Sequence, residues 1–393
     1  MNVLELCLSP SLGGLELYVF RAAQALSLST QTDNAKDLIK NPSLPTNQST
    51  NLPTKVIAIV DKSSKLDEYF QNNSDIDTLH LKRRTSVLAL FSAKKLARTI
   101  DNNKIDIIHV HWNKDFLVSV LGKLLSKRRP AIVFTRHMMI TREKKDIYHN
   151  FLHRHMNLML TISKELESLC KKFIPGYAEK IVTLYHGVKA PEKFLDEDSR
   201  MESRKIFNFG ADDFVVGLIG RLEENKGQHL LINAISMAKQ HGYNIKALII
   251  GHEMTSGYRD ILKKQADDLD ISNQITFQDF TQQPQQLMQL CDCIVLATRY
   301  ETFGLVLPEA MRSGVAVIGS NSGGVPEIIQ HDKTGLLFES FNAQDLFKQI
   351  ERIYLDVDLK NQLAAQGKQD ADIRFNDTLH FQQLEKIFRS CIN

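Results

Sequence analysis

Short apolar runs of strand length recur along this chain, separated by segments of helical period, and that alternation admits few folds. In the first half the runs are NVLELCL, KVIAIV, IDIIHVHW, AIVFTRH, LMLTIS and IVTLYHG; in the second they are FVVGLIG, IKALIIG, QITF, CIVLAT and VAVIGS. Runs such as CIVLAT are continuously apolar, as expected of strands covered on both faces. The intervening stretches from Leu15 to about Leu28, Leu88 to Ile100 and Lys164 to Phe173, with GQHLLINAISMAKQHG and QQLMQLCD, read as helices. Strands alternating with helices form parallel sheets, so the expected class is α/β with doubly wound, Rossmann-like sheets. No short fixed period is visible, which argues against a solenoid.

A length of 393 residues exceeds one compact domain. The polar, proline-bearing KAPEKFLDEDSR is the expected linker, placing one domain over residues 1–190 and a second over 191–372, followed by a helical tail to Asn393. The tract from about residue 29 to 54 is polar and reads as a surface insertion with little order. No apolar stretch approaches the length of a membrane-spanning helix. The opening MNVLELCLSP lacks a basic leader and reads as a first strand, so a cytoplasmic protein is expected. Five cysteines (Cys7, Cys170, Cys291, Cys293 and Cys391) are too few and scattered for a disulfide framework and read as buried thiols.

Charge is divided unevenly. Residues 1–190 hold 28 Lys and Arg against 17 Asp and Glu, a net +11, and the remainder holds 21 against 29, a net −8. The basic clusters are Lys82-Arg83-Arg84, Lys94-Lys95, Lys127-Arg128-Arg129, Lys144-Lys145 and Lys171-Lys172. Solvated faces account for such clusters, and so does an anionic partner. They lack interleaved aromatics and any recognisable nucleic-acid module, so no nucleic-acid partner is expected. An anionic membrane surface or a phosphorylated acceptor fits at least as well.

Two carboxylates stand out in ETFGLVLPEA, where seven residues separate Glu301 from Glu309. CIVLAT before them is a buried strand, and LPEAMRSG reads as a short helix that starts at Pro308 and is closed by Gly314. Both glutamates then lie at the carboxyl end of a parallel strand, the usual ligand position of open α/β sheets. The plainer alternative is that Glu309 complements the helix dipole and Glu301 is a solvated loop residue. GRLEENKG sets Arg221 and Lys226 directly after the first strand of the second domain, where two cations suit a diphosphate. SGGVPE, Ser322 to Glu327, follows a third strand, and its paired glycines permit either close approach to a ligand or a simple turn.

GRLEENKG, ETFGLVLPE and GGVPEI, in this order and spacing, resemble the donor domain of family four retaining glycosyltransferases, whose E-x7-E motif the two glutamates match. SLGGLE, HVHW, FTRH and TISKELESL are similar to the acceptor domain of the same family, so the resemblance covers nearly the whole chain except the polar insertion. It implies the GT-B fold: two Rossmann-like domains facing across a cleft, with a C-terminal helix over 373–393 returning to the first. It further implies a UDP- or GDP-linked sugar as donor and a glycan or glycolipid as acceptor, with no cofactor besides the donor. By the same resemblance Glu309 holds the ribose diol, Glu301 contacts sugar hydroxyls, and Phe303, Gly304 and Leu305 offer backbone N–H groups. Carboxylates suit paired hydroxyl donors because they only accept. Arg221 and Lys226 would neutralise the departing diphosphate. His137 resembles the family histidine that touches the donor sugar, although a structural role at the strand end is equally open to it. Gly13 and Gly14 would let their loop approach the donor phosphates.

Metal is not expected. Asp-x-Asp occurs at Asp75/Asp77, Asp196/Asp198 and Asp356/Asp358, none following a clear strand into a site loop; the last pair reads as helical, roughly 200° apart about the axis. His109 and His111 share one face of a strand, where one could line the cleft or both could be half-buried structural groups. His186 and Gly187 are expected to shape the hinge. Two other functions fit the same architecture: a sugar-nucleotide 2-epimerase of GT-B fold, and a non-catalytic two-domain small-molecule binding protein.

Overall fold

The protein, seen as a computed structural model, is described over residues 1–28, 54–82, 88–254 and 256–392. It divides into two compact units, Met1–Leu184 with Thr378–Asn393, and Tyr185–Asp377. In the first, strands β1 (Asn2–Cys7), β2 (Lys55–Val60), β3 (Thr78–His80), β4 (Ile107–Val110), β5 (Ala131–Arg136), β6 (Leu158–Thr161) and β7 (Ile181–Thr183) alternate with helices. Those helices are α1 (Gly14–Leu28), α2 (Lys65–Asn73), α3 (Ala89–Asn102), α4 (Phe116–Leu125), α5 (Ile147–Arg154) and α6 (Lys164–Phe173). The sheet order is β3-β2-β1-β4-β5-β6-β7 and every pairing is parallel. The order reverses between β1 and β4.

The second unit follows the same plan. It contains α7 (Glu197–Lys205), β8 (Phe214–Ile219), α8 (Gln228–Gln240), β9 (Ile245–Ile250), α9 (Tyr258–Asp268), β10 (Ile275–Gln278), α10 (Pro284–Met288) and β11 (Cys293–Leu296). After these come α11 (Val306–Arg312), β12 (Ala316–Ser320), α12 (Val325–Ile328), β13 (Leu336–Phe338), α13 (Ala343–Leu355) and α14 (Val357–Arg374). The parallel order β10-β9-β8-β11-β12-β13 reverses between β8 and β11. Two doubly wound parallel sheets are therefore present, as the alternation of the sequence requires.

The differences lie in the short elements. TLH of β3 and LLF of β13 are three residues each, too few to show a period, and the polar α5 and α7 carry weak apolar stripes. Helix α7 starts inside the expected linker because the Asp196 carboxylate accepts from the Ser199 amide at 2.8 Å and caps it. The polar tract lies outside the described residues up to residue 53, as do Arg83 and Arg84 of the Lys82 cluster.

Each sheet carries its own core. In the first unit Val3, Cys7, Val56, Ala58, Val60 and Val133 pack against Val19, Ala22 and Leu26 of α1. The final helix, α15 (Asp377–Ser390), adds Phe381, Leu384 and Phe388 to that core, one stripe at intervals of three and four. Burying each such side chain contributes about 1.5–3 kcal/mol. In the second unit β8, β9, β11 and β12 pack against Leu231 and Ile235 of α8 and Phe347 and Ile350 of α13.

One polar group ties the base of the second sheet together. The Asp292 carboxylate, just before β11, accepts from the Val215 amide at 2.8 Å, Arg204 at 2.7 Å, and Arg200 and Lys360 at 3.2 Å each. Burial works against its charge, but the Val215 amide and the three cations outweigh it and hold the carboxyl below its ordinary range. Arg204 is fully buried, so removing its partner strands a charge. Asp292→Ala should cost about 3–5 kcal/mol in a denaturant titration of the whole chain. A loss below 1 kcal/mol would refute that role.

Candidate active site

Strands β8 and β11 are neighbours at the point where the second sheet reverses, so the connections leaving their carboxyl ends diverge and open a crevice. Residues 220–227 leave β8 and residues 297–305 leave β11. The two segments are stitched together by the Arg299 amide, which donates to the Asn225 carbonyl at 2.9 Å. Gly227 sits at φ +75°, and a Cβ there would lie 2.3 Å from the Ala297 carbonyl oxygen. No side chain fits that approach.

Lys226 and Glu301 are brought into direct contact. Lys226 Nζ donates to Glu301 Oε2 at 2.8 Å, and about one fifth of each side chain is exposed. Glu301 Oε1 accepts from the Thr302 amide at 3.1 Å. The paired glycines close on the same residue: the Gly324 amide donates to the Glu301 carbonyl at 2.9 Å, and a Cβ on Gly323 would lie 2.1 Å from that oxygen. Arg221 is half-exposed and lies 3.0 Å from Glu223. Gly304 takes φ +94°, turning the chain into α11. Phe303 is buried, with its ring near those of Tyr185, His186 and Phe375, so its side chain anchors the turn and only its backbone can face a ligand. Buried His186 thus belongs to this packing.

Helix α11 starts at Val306, two residues before the expected start at Pro308. Pro308 remains in the first turn, where its missing N–H leaves no bond unmade. Leu305 precedes the helix, half-buried Glu309 lies in its first turn, and Gly314 at φ +75° follows its end. Arg221, Lys226, Glu301, Phe303, Gly304, Leu305 and Glu309 therefore occupy adjoining strand ends of one sheet.

The remaining predicted residues belong to the first unit. Gly13 precedes α1 and Gly14 begins it, and the Gly13 amide donates to Glu16 Oε2 at 2.9 Å. Ser9 Oγ bonds the other oxygen of Glu16. His137 follows β5 and is partly exposed. His109 on β4 and His111 just beyond it are buried, not half-buried, because both face Glu5 on the adjacent β1. His111 Nε2 lies 2.6 Å from Glu5 Oε2, and His109 Nδ1 lies 2.9 Å from the same oxygen. His109 Nε2 lies 2.7 Å from Thr135 Oγ1, and His111 Nδ1 lies 3.3 Å from His137 Nε2. This chain of bonds is absent from the sequence reading. Its signal is Glu5 itself, a lone carboxylate in the apolar run NVLELCL, paired in register with HVH. The ligand-type atoms of Glu5, His109 and His111 lie within 4.8 Å of one another, but the short bonds from carboxylate to both rings already use the atoms that would face a cation.

Of the Asp-x-Asp pairs, Asp196 and Asp356 cap α7 and α14, with Asp198 and Asp358 in the first turns, while Asp75 and Asp77 are exposed before β3. The expected helical spacing of Asp356 and Asp358 is thus corrected: Asp356 stands outside the helix and accepts from the Leu359 amide at 2.9 Å.

The buried network makes the first unit acid-sensitive. Burial works against ionised Glu5, but His109 and His111 more than offset it and hold the carboxyl down to about 2, from an ordinary 4.5. Burial, and then His109, push His111 down to about 4 from 6.5, against the bond to Glu5. As pH falls below 6.5 the unfolded chain takes up the His111 proton before the folded chain does, and below 4.5 the same holds for Glu5. Both groups therefore withdraw stability on acidification, His111 between 6.5 and 4 and Glu5 between 4.5 and 2. Trp112, the single tryptophan, sits beside His111 and reports on this unit. Its fluorescence-detected melting temperature should fall steadily from pH 6.5 to pH 4, and a flat profile would contradict the assignment.

Comparison with known proteins bears on the family and the fold. Residues 56–190 match the family described as Glycosyltransferase Family 4, and residues 199–370 match Glycosyl transferases group 1. An uncharacterized glycosyltransferase of Methanocaldococcus jannaschii is 26% identical over 301 residues, covering 72% of this chain and 75% of that protein. A GDP-mannose-dependent alpha-(1-6)-phosphatidylinositol monomannoside mannosyltransferase of Mycobacterium tuberculosis is 29% identical over 203 residues, or 49% of this chain and 52% of that one. The crystal structure of Anabaena HepE in complex with UDP is 21% identical, with a TM-score of 0.81 over 99% of this chain and 100% of that chain. Two parallel Rossmann-like sheets, both family matches and the shared architecture agree: the chain belongs to the group 1 glycosyltransferases of family four and has the GT-B fold.

Proposed function

We propose that this enzyme moves a hexose-type sugar, with retention of configuration, from a UDP- or GDP-linked donor to a glycan or glycolipid acceptor of the cell envelope. The observation that carries the reading is the Lys226–Glu301 contact at the reversal of the second sheet. It holds a cation and an acceptor-only group on adjoining strand ends, each offering half of what a sugar diphosphate needs. On donor binding the diphosphate would draw Lys226 and Arg221, and Glu301 would accept from sugar hydroxyls. Glu309 would hold the ribose diol, and Phe303, Gly304 and Leu305 would offer backbone N–H groups. His137, Gly13 and Gly14 would be the first unit's contribution to the same substrate. UDP in the HepE crystal and GDP-mannose in the mycobacterial enzyme's name support a nucleotide sugar and leave both bases open.

Charge on the leaving diphosphate must be neutralised as the glycosidic bond breaks, and Arg221 and Lys226 would supply that without a metal ion. Turnover should therefore persist in EDTA and require an acceptor, as an epimerase would not. Losing a hydrogen bond to a charged partner costs about 1.5–3 kcal/mol. Lys226→Ala and Glu309→Ala should each weaken UDP or GDP binding by about one to two orders of magnitude in calorimetric titration, with folding intact. Unchanged affinity in both variants would remove this assignment.

The acceptor is assigned to the first unit, and the enzyme to the inner face of the cytoplasmic membrane as a peripheral protein. Among the described residues no helix is long and apolar enough to cross a bilayer. The sequence cluster at Lys127–Arg129 is partly neutralised within the fold, because Arg128 pairs with Asp106 at 2.6 Å and the Lys127 and Arg128 amides bond Asp101. Helix α3 offers a better surface. Its outer face exposes Leu90 and Phe91 followed by Lys94, Lys95 and Arg98, an apolar wedge beside three cations. Each cation near an anionic bilayer contributes about 1 kcal/mol, screened over about 8 Å at physiological salt. The protein should sediment with vesicles of anionic phospholipid at low salt and be released as salt rises. Reversing Lys94, Lys95 and Arg98 to Glu should abolish that binding, and equally weak binding to neutral and anionic vesicles at every salt concentration would point to a soluble acceptor.

A further inference from the structure

Three side chains of the first sheet form a line from its interior to the carboxyl ends of its central strands: Glu5 on β1, His111 just after β4 and His137 just after β5. Glu5 Oε2 lies 2.6 Å from His111 Nε2, and His111 Nδ1 lies 3.3 Å from His137 Nε2. The two imidazoles are stacked, with centroids 5.5 Å apart and planes 28° from parallel. Glu5 and His111 are buried, whereas His137 is partly exposed. The line therefore runs from a solvent-excluded carboxylate to a ring that a substrate can reach.

We infer that Glu5 and His111 are positioning residues for His137: the carboxylate fixes the tautomer of His111, and His111 holds the His137 ring with Nε2 protonated. The argument follows from who can donate. An ionised carboxylate only accepts, so the proton of a neutral His111 must sit on Nε2. Its Nδ1 is then an acceptor, and the bond to His137 forms only if His137 Nε2 carries a hydrogen. Neutral His137 is thereby left with Nδ1 as its acceptor atom. Low basicity of His111, pushed down to about 4, keeps that ring neutral at ordinary pH and keeps the order of donors from reversing. A third group fixed by the second is the usual way an imidazole is held in one tautomer.

The surrounding groups support the same arrangement. His109 shares the Glu5 carboxylate and bonds Thr135, so Glu5 is held from a second side. Tyr18 on α1 sets its ring edge against both His111 and His137, at 5.7 and 5.0 Å between centroids. Its hydroxyl bonds His380 Nε2 of α15 at 2.9 Å. Glu5, His109 and Tyr18 are thus titratable groups that face the pair, with His380 bonded to Tyr18 behind them.

This inference rests on the proposed contact between His137 and the transferred sugar, because an acceptor nitrogen of fixed position suits a sugar hydroxyl that donates. Histidine-selective 15N labelling of the full-length protein tests it without any substrate, with His137→Gln used to assign the signals. His111 and His137 should both appear as neutral rings protonated on Nε2 at pH 7.5. Glu5→Gln, which removes the charge and adds a donor, should make one or both rings average between tautomers. A His137 ring protonated on Nδ1, or averaging in the unaltered protein, overturns the inference.

Turnover provides the second readout, measured as UDP or GDP released from UDP-glucose, UDP-galactose and GDP-mannose with a lipid-linked glycan present. His111→Phe should lower kcat about tenfold with the donor KM unchanged, the scale usual for a partner that orients a functional imidazole. His111→Asn, whose amide oxygen can take the place of Nδ1, should recover most of the loss. Equal loss in both variants would mark His111 as merely structural. Full turnover in His137→Gln would instead remove the sugar contact itself, and the ring spectra distinguish that failure from a wrong tautomer.

Discussion

Parallel strands covered on both faces leave little room for polar side chains along their length, and the organisation of this protein follows from that constraint. Chemistry is displaced to the carboxyl ends, and most useful there is the place where strand order reverses and neighbouring connections diverge. Both sheets have one such place, between β1 and β4 and between β8 and β11. The glycines at 227, 304 and 323 let backbone pack where side chains would collide, which draws the Lys226 and Glu301 connections together. Asp292 makes the complementary contribution at the opposite end of the second sheet. It gathers Arg200, Arg204 and Lys360 beneath the strands that carry the candidate site.

The exception to the constraint is informative. Glu5 and His109 lie inside the first sheet, in register on adjacent strands, with His111 just beyond. Polar groups so placed are tolerated only when each is bonded, and here carboxylate, three imidazoles and a threonine hydroxyl satisfy one another in sequence. A core of this kind is rigid for the same reason that it is costly to disturb. Rigidity at the root of the chain of bonds is what a partly exposed histidine at its tip would need.

The strands with long apolar runs were legible in the sequence because burial on both faces leaves an unbroken signature. So were the strand-end positions of Arg221, Lys226 and Glu301, since each follows such a run at once. Three-residue β3 and β13 left no such trace, and α7 was hidden because its stability depends on Asp196 and on Arg204 reaching Asp292 far along the chain. The link from Glu5 to His137 spans 132 positions and depends on strand order, which no local pattern encodes. Conversely, the cluster Lys127–Arg129 is conspicuous in sequence yet partly answered by Asp101 and Asp106, acidic residues that the fold returns to its side. Residues 29–53 lie outside the described residues.

Helix α15 gives the first unit a dependence on residues that follow the whole second unit along the chain. Phe381, Leu384 and Phe388 complete a core whose other members lie before residue 185, and His380 bonds Tyr18 across 362 positions. On the ribosome, therefore, the first unit is completed only after the whole second unit has emerged. Until then the apolar face of α1 and the open side of the first sheet lack their cover. Nascent chains halted before residue 381 would lack all three of the aromatic and aliphatic side chains that cover this surface.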